Sequence, residues 1–296
     1  EIVNPSLVIF VKYEYWYHHL TAVAFRHIPL LLVSSIFRQE QVFFKWYGKF
    51  YRQMLFLFRR IFVQDSASLD LLQTINVHHS EVAGDTRFDR VKKIAEQFSE
   101  LPLIKNFIGS DRVIVAGSTW SDDEAILESY LNEREIKLIV APHEINEAHI
   151  NEIEKRFGDS IRYSSIKSEI PRNARVLIID NMGMLSKLYY YADVSYIGGG
   201  FNKSGIHNTL EAAVYGKPVI FGSNYSKFKE ARELVANQAA FSVSTADDLK
   251  IKMDHLFNDP GQLALSGNAA KNYVANQTGA TGKIMQYIQE NRLLTS

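Results

Sequence analysis

The stretch Val194-Ser195-Tyr196-Ile197-Gly198-Gly199-Gly200-Phe201-Asn202-Lys203-Ser204-Gly205-Ile206-His207-Asn208-Thr209-Leu210-Glu211-Ala212 decides how the chain is read. A strand ends at Ile197, three glycines follow, and a helix is expected to open near His207. In this strand–turn–helix order the glycines let the backbone come close to a ligand, and helix N-terminal N–H groups suit a phosphate. Asn208 and Glu211 lie three apart on the expected first turn, so both can face that ligand, Glu211 accepting from ribose hydroxyls. The spacing matches neither Gly-x-Gly-x-x-Gly nor a Walker loop, which argues against a dinucleotide or a nucleoside triphosphate. A glycine-rich turn ahead of a capped helix is the competing reading.

The same alternation extends outward in both directions. Strands are expected at 112–116, 136–141, 174–179, 194–197 and 218–221. Helices are expected at 121–133, 146–157, 183–192, 207–216, 226–237 and 246–258, with a terminal pair after Gly261. Toward the N-terminus the apolar runs 6–11, 29–35, 60–64 and 80–83 read as strands, and 40–59 and 67–75 as helices, the latter capped from 65–68. Such alternation implies parallel sheets. The tract 96–111, with Pro102 and Gly109, reads as a boundary. The expectation is an α/β chain of two Rossmann-like domains: residues 1–97 as the remainder of an N-terminally incomplete first domain, and 98–296 as the second, its terminal helix crossing back. Two such domains put a ligand cleft between them, at the carboxyl ends of their strands.

Composition narrows the function. Of 296 residues, 46% are hydrophobic and 22% charged, which fits a folded core. The 33 Lys and Arg balance 33 Asp and Glu, so bulk attraction to nucleic acid is excluded. With no cysteine there is no disulfide, thiolate zinc site or thiol nucleophile. No metal-binding motif is present, and no apolar run reaches the length of a membrane-spanning helix. The balance is uneven along the chain: residues 1–95 carry 12 basic against 8 acidic side chains, residues 96–296 carry 21 against 25. In 38–60, Arg38, Lys45, Lys49, Arg52, Arg59 and Arg60 stand beside one acid, Glu40, among eight aromatics. Read as a helix over 40–59, this pattern fits an anionic membrane surface, with rings at headgroup level. A core helix whose Lys and Arg stems snorkel is the alternative.

Other candidates sit where strands end. Gly117-Ser118-Thr119 could hold a phosphate or carboxylate, although Ser121 and Glu124 also have the spacing of a capping box. Pro142 and His143 end the next strand. Glu14 follows the first strand. Arg87, in Gly84-Asp85-Thr86-Arg87-Phe88-Asp89, could neutralise transition-state charge or simply pair with Asp85 or Asp89.

Taken together, Glu14-Tyr15-Trp16, Gly84 to Asp89, Gly117-Ser118-Thr119, Asp180-Asn181-Met182-Gly183-Met184-Leu185 and Gly198 to Glu211, followed by Gly216 to Gly222, resemble the Kdo (3-deoxy-D-manno-octulosonic acid) transferase family. The resemblance implies a GT-B glycosyltransferase with two Rossmann-like domains facing across a cleft. It implies transfer of Kdo from CMP-Kdo to a lipid A precursor with inversion, without metal or other cofactor, at the cytoplasmic face of the bacterial inner membrane. By the same likeness Ser118, Thr119, Pro142, His143, Met182, Gly183, Met184, Gly199, His207, Asn208 and Glu211 bind the donor. Glu14 and Arg87 flank the reacting centre, and the general base is expected upstream of Glu1. His143 stands where the family usually has Arg, Met184 where it has Glu, and Arg87 where it has Lys. Another GT-B enzyme using a UDP-sugar, transferase or epimerase, and a non-catalytic nucleotide-sugar binding module are the alternatives.

Overall fold

The computed structural model describes residues 4–166, 170–171 and 173–294. The chain forms two compact units, Glu1–Arg90 with Gln277–Ser296, and Val91–Asn276. The division falls at 90/91 rather than 97/98, and the last twenty residues belong to the first unit.

The first unit contains β1 (Val8–Val11), α1 (Tyr17–Phe25), β2 (Leu30–Ser35), α2 (Lys49–Leu55), β3 (Arg60–Val63), α3 (Ser66–Thr74), β4 (Ser80–Val82) and the start of α4 (Thr86–Glu96). Its sheet is parallel, in the order β1-β2-β3-β4. Both faces of its central strands β2 and β3 are covered, as a parallel sheet requires, while Ile9 and Val11 of the edge strand β1 are exposed. Leu30, Leu32, Ile61 and Val63 pack with Leu20, Met54, Leu55 and Leu72 on one face. Leu31, Val33 and Phe62 point the other way, onto Ile284, Ile288 and Leu293 of the C-terminal segment. Asp89 fixes that segment: its carboxylate accepts from the N–H groups of Gly279 (2.6 Å) and Thr281 (2.7 Å), satisfying two of the donors that a helix start leaves open.

The second unit runs through α5 (Pro102–Ile108), β5 (Val113–Thr119), α6 (Ser121–Leu131), β6 (Lys137–Pro142), α7 (Glu147–Arg156), β7 (Ser160–Arg162), β8 (Val176–Ile178), α8 (Leu185–Leu188), β9 (Val194–Ile197), α9 (Leu210–Ala213), β10 (Val219–Gly222), α10 (Lys229–Ala236), β11 (Ala240–Val243), α11 (Ala246–Asn258) and α12 (Pro260–Asn276). The remaining helix, α13 (Ala280–Glu290), lies in the C-terminal segment of the first unit. The second sheet is parallel throughout, in the order β11-β10-β9-β5-β6-β8-β7. Succession runs from β5 to one side and then returns to β9 on the other, so a topological switch point lies between β5 and β9. Ligands in open α/β sheets bind at the carboxyl ends of strands at such a point.

Four expectations are corrected. The 40–59 stretch is not one helix. A single 3-10 turn (Val42–Phe44) is followed by an extended Lys45, and α2 starts only after Gly48. Gly48 lies against the Val42 carbonyl so closely that any side chain would collide with it. The 96–111 boundary tract holds a helix, α5, with Pro102 in its first turn. The short edge strands β7 and β11 carry no period of their own and escape sequence reading. The helix expected from His207 begins at Leu210.

The glycines after β9 serve the fold first. Gly200 and Gly222 touch backbone to backbone: a Cβ on Gly222 would lie 2.6 Å from the Gly200 carbonyl carbon. Neither backbone can yield as a flexible side chain could. Gly200→Ala and Gly222→Ala should each cost at least about 2 kcal/mol in urea unfolding, whereas Gly158→Ala, which meets nothing, should be nearly silent.

Candidate functional site

The carboxyl ends of β9, β5, β6 and β8, neighbours in the second sheet, carry Gly199 with His207 to Glu211, Ser118 with Thr119, Pro142 with His143, and Met182 to Met184. The donor-side candidates read from sequence therefore share one edge of one sheet. β5 ends in an irregularity, its register on β6 shifting between Gly117 and Thr119, with Ser118 at φ 55°. That left-handed turn is unusual for a residue with a Cβ, and such conformations concentrate at functional sites.

A buried carboxylate ties the edge together. Asp123, 1% exposed, accepts from the N–H of Trp120 (3.0 Å), the N–H of Gly199 (2.9 Å) and the Tyr196 hydroxyl (2.8 Å). It holds the start of α6 against the glycine turn of β9, across the switch point. Burial pushes its carboxyl above the usual range, against the downward pull of these three hydrogen bonds. Its neighbour Glu124 is buried as well, accepting from the Thr119 hydroxyl (2.9 Å) and facing His149 Nε2 (3.1 Å). The expected Ser121–Glu124 capping box is thus replaced: Trp120 is the N-cap, Asp123 takes its N–H, and Glu124 turns inward. Thr119 is fully buried with its hydroxyl directed to Glu124, so the side chain does not line an open surface.

Above this network three rings stack. Trp120 lies on His143 (4.7 Å between centroids) and His143 on His207 (4.4 Å), each pair inclined by 28°. Burial, then the nearby His143, lowers the proton affinity of His207, which keeps it neutral at pH 7. Asn208 donates to Glu211 (3.0 Å) and its amide oxygen accepts from the Leu210 N–H (3.2 Å), fixing both side chains on the turn into α9. Gly183 is at φ 92° and Met182 is 89% exposed, a protruding turn after β8.

In the first unit Glu14 follows β1 and Arg87 follows β4, the two outer strands of its sheet. Three strand spacings separate them, roughly 14 Å, so they do not converge directly. Arg87 adopts the ion-pair alternative with Asp85 (2.8 Å), which is buried and also accepts from Gln64 (3.1 Å). Gln64 reaches on to the Ser34 carbonyl (2.9 Å), and Ser34, at φ 53°, accepts from the Thr86 N–H (3.0 Å). Glu14 accepts from the Trp16 indole. Sequence reading missed Asp123, Tyr196, Trp120, Ser34 and Gln64. Asp123 lies four residues past the end of β5, and the capping role read from the sequence went to its neighbours Ser121 and Glu124.

Replacing Asp123 tests the clamp. Asp123→Ala strands three donors and should cost about 3 kcal/mol or more. Asp123→Asn can offer one oxygen to both N–H groups, which already share Oδ2, and should cost roughly 1 kcal/mol. Because the folded carboxyl is raised, its favourable contribution is complete below the ordinary value of 3.8 and is lost as pH rises through the raised value. The wild type should therefore gain on Asp123→Asn as pH falls through that window, read by urea unfolding at a series of pH values.

A family model described as 3-Deoxy-D-manno-octulosonic-acid transferase (kdotransferase) matches residues 1–90, the N-terminal segment of the first unit. A 3-deoxy-D-manno-octulosonic acid transferase of Rickettsia felis is 28% identical over 298 residues, covering 96% of this chain and 63% of the relative. The chain spans about three-fifths of the length of the rickettsial relatives it matches. Among solved structures, the C-terminal CMP-Kdo binding domain of WaaA from Acinetobacter baumannii is similar with a TM-score of 0.50 and 23% identity, covering 64% of this chain and 97% of that one. The UDP complex of MnaA from S. aureus matches with a TM-score of 0.63 and 15% identity, over 99% of this chain and 78% of that one. These likenesses bear on fold alone, and the fold they share with the two parallel sheets is GT-B. The chain is thus similar to the 3-deoxy-D-manno-octulosonic acid transferases over most of its length and is built on the GT-B fold.

Proposed function

We propose that the protein transfers Kdo from CMP-Kdo to a lipid A precursor, with inversion and without a metal, in lipopolysaccharide biosynthesis. The observation that carries this reading is the gathering of Pro142–His143, Met182–Met184, Gly199 and His207–Glu211 along adjacent strand ends at the switch point. Similarity to named Kdo transferases over 96% of the chain adds to it. In the reaction the acceptor hydroxyl attacks the anomeric carbon of Kdo, and CMP leaves with the bonding electrons. The ribose hydroxyls meet Glu211, already oriented by Asn208. The leaving phosphate meets the N–H groups of the turn into α9, and within the first unit Asp85 holds the Arg87 cation in a fixed orientation. Such preorganised charge stabilises the transition state without reorganisation.

The acceptor reading needs a lipid surface. Of the aromatics in 38–60, Phe43 and Phe58 are buried, while Trp46, at 91% exposure, stands with Tyr47, Phe50, Tyr51 and Phe56 in solvent. Arg60 is drawn away to Glu81 (2.6 Å), and Arg59 to Asn291. Lys45 and Lys49 remain beside the exposed rings, the combination an anionic membrane face attracts. We assign this face, rather than one continuous helix, to the cytoplasmic surface of the inner membrane.

Two measurements test the reading. CMP should raise the melting temperature more than UDP, and Glu211→Ala should weaken CMP binding by roughly ten- to a hundredfold. A greater response to UDP favours the UDP-sugar alternative, and CMP binding without turnover favours a binding module. Lys45→Glu with Lys49→Glu should weaken binding to anionic vesicles by at least roughly thirtyfold, with CMP affinity unchanged. Co-sedimentation at low and high salt reads this, since the attraction is screened over about 8 Å at physiological salt.

A further inference from the structure

Tyr13 to Trp16, the segment after β1, separates two apolar hollows of the first unit. Tyr13 and Tyr15 face one, and Glu14 and Trp16 face the other, the Tyr15 N–H closing a tight turn onto the Tyr13 carbonyl (3.0 Å). The hollow on the Tyr side has a volume of about 430 Å³, and its walls include Phe43, Tyr51 and Met54. Tyr15 stands edge-on to Phe43 (4.8 Å), so aromatic carbon makes up much of this wall. Arg38 is the only charged residue among the described ones lining it. Among the described residues the Arg38 guanidinium makes no hydrogen bond or ion pair, and the side chain is exposed. The hollow on the other side, about 550 Å³, carries the opposite sign through Glu14.

An apolar, aromatic-walled hollow with one free cation at its margin is complementary to an anionic amphiphile. A hydrocarbon chain gains by leaving water among the rings, at roughly 25 cal/mol per Å². The guanidinium then pairs with a phosphate or carboxylate, for which its planar fork is suited. Water or a sugar would leave the apolar wall unused, and a cationic amphiphile would meet Arg38 with like charge. The hollow also lies next to the exposed Trp46, Tyr47 and Phe50 in sequence, and shares Tyr51 with that face.

We propose that the hollow walled by Tyr13, Tyr15, Phe43, Tyr51 and Met54 takes one acyl chain of an anionic lipid, whose charged group pairs with Arg38. The inference rests on the lipid-acceptor reading and names the element that would hold the acceptor. It also gives a role to the exposed guanidinium of Arg38, whereas Arg60 and Arg59 of the same stretch are drawn to Glu81 and Asn291.

The test is equilibrium binding to the whole chain of dodecyl phosphate and dodecyltrimethylammonium, equal in chain length and opposite in charge, below their micelle concentrations. Dodecyl phosphate should bind saturably at one site, at least about tenfold more tightly than the cation. Arg38→Glu, an exposed change that the fold tolerates, should abolish or reverse this preference. Val42→Trp, which narrows the mouth, should weaken both probes, with melting curves verifying the fold. Equal binding of the two probes, unchanged in both variants, overturns the proposal in favour of adsorption on the exposed rings. Self-association of the chain that Val42→Trp dissolves overturns it too, since the occupant is then a second copy. CMP binding, measured separately, keeps the readings apart. Intact CMP response with no saturable site for dodecyl phosphate removes the acyl hollow alone. Saturable dodecyl phosphate without any CMP response removes the transferase reading and leaves the hollow.

Discussion

The carboxylate of Asp123 is the constraint on which the candidate site depends. It joins the first turn of α6 to the glycine turn after β9 and to the Tyr196 hydroxyl inside the sheet. A buried carboxylate is costly unless its lone pairs are taken, and here three donors from three places take them. The same bonds bring Trp120 over the switch point, where it begins the stack with His143 and His207. Gly199 can serve as a donor only because the chain turns left-handed there, at φ 88°, and because it has no side chain to strike His207. One ionisable group, out of contact with water, thus positions the residues that face it.

The first unit solves a related problem with neutral groups. Ser34, one residue before the end of β2, is left-handed at a register irregularity against β3, much as Ser118 is one residue before the end of β5. The freed polar groups are taken up by Gln64 and Thr86, and Asp85 links them to Arg87. Arg87 is consequently a fixed cation rather than a swinging one. Its lysine counterpart in the resembled family would make a single-point contact, whereas the guanidinium here engages Asp85 through both Nε and Nη2.

The 38–60 stretch divides between core and surface at Gly48. Two rings, Phe43 and Phe58, go into the core and five go to solvent. The stretch thus contributes rings to the core and presents cations beside exposed aromatics. A strict helix would have placed its residues by a 3.6-residue period. The 3-10 turn and the extended Lys45 break that period, and Phe43 and Tyr51, on either side of the break, line the hollow beside Tyr13 and Tyr15.

What the sequence determined by itself was the order of elements and the edge on which the site lies. The buried strands are unbroken apolar runs, as in Leu30 to Val33 and Val113 to Ala116, and such runs announce a parallel sheet without help from the rest of the chain. Motifs that follow strands then fall on carboxyl ends automatically, which is why His143 and Asn208 could be placed from strand order, whereas Met182 came only from the family resemblance. Short edge strands such as β7 and β11 could not, because three or four half-buried residues carry no period that survives without a neighbour to pair with. The tertiary structure alone decided which carboxylates cap, pair or stay buried. Asp123 and Glu124 are adjacent acids at a helix start, chemically alike in sequence, and each was free to cap from the surface. Packing against Tyr196 and His149 removed both from water, and desolvation made each commit to the donors that chain segments 25 to 76 residues away brought within reach.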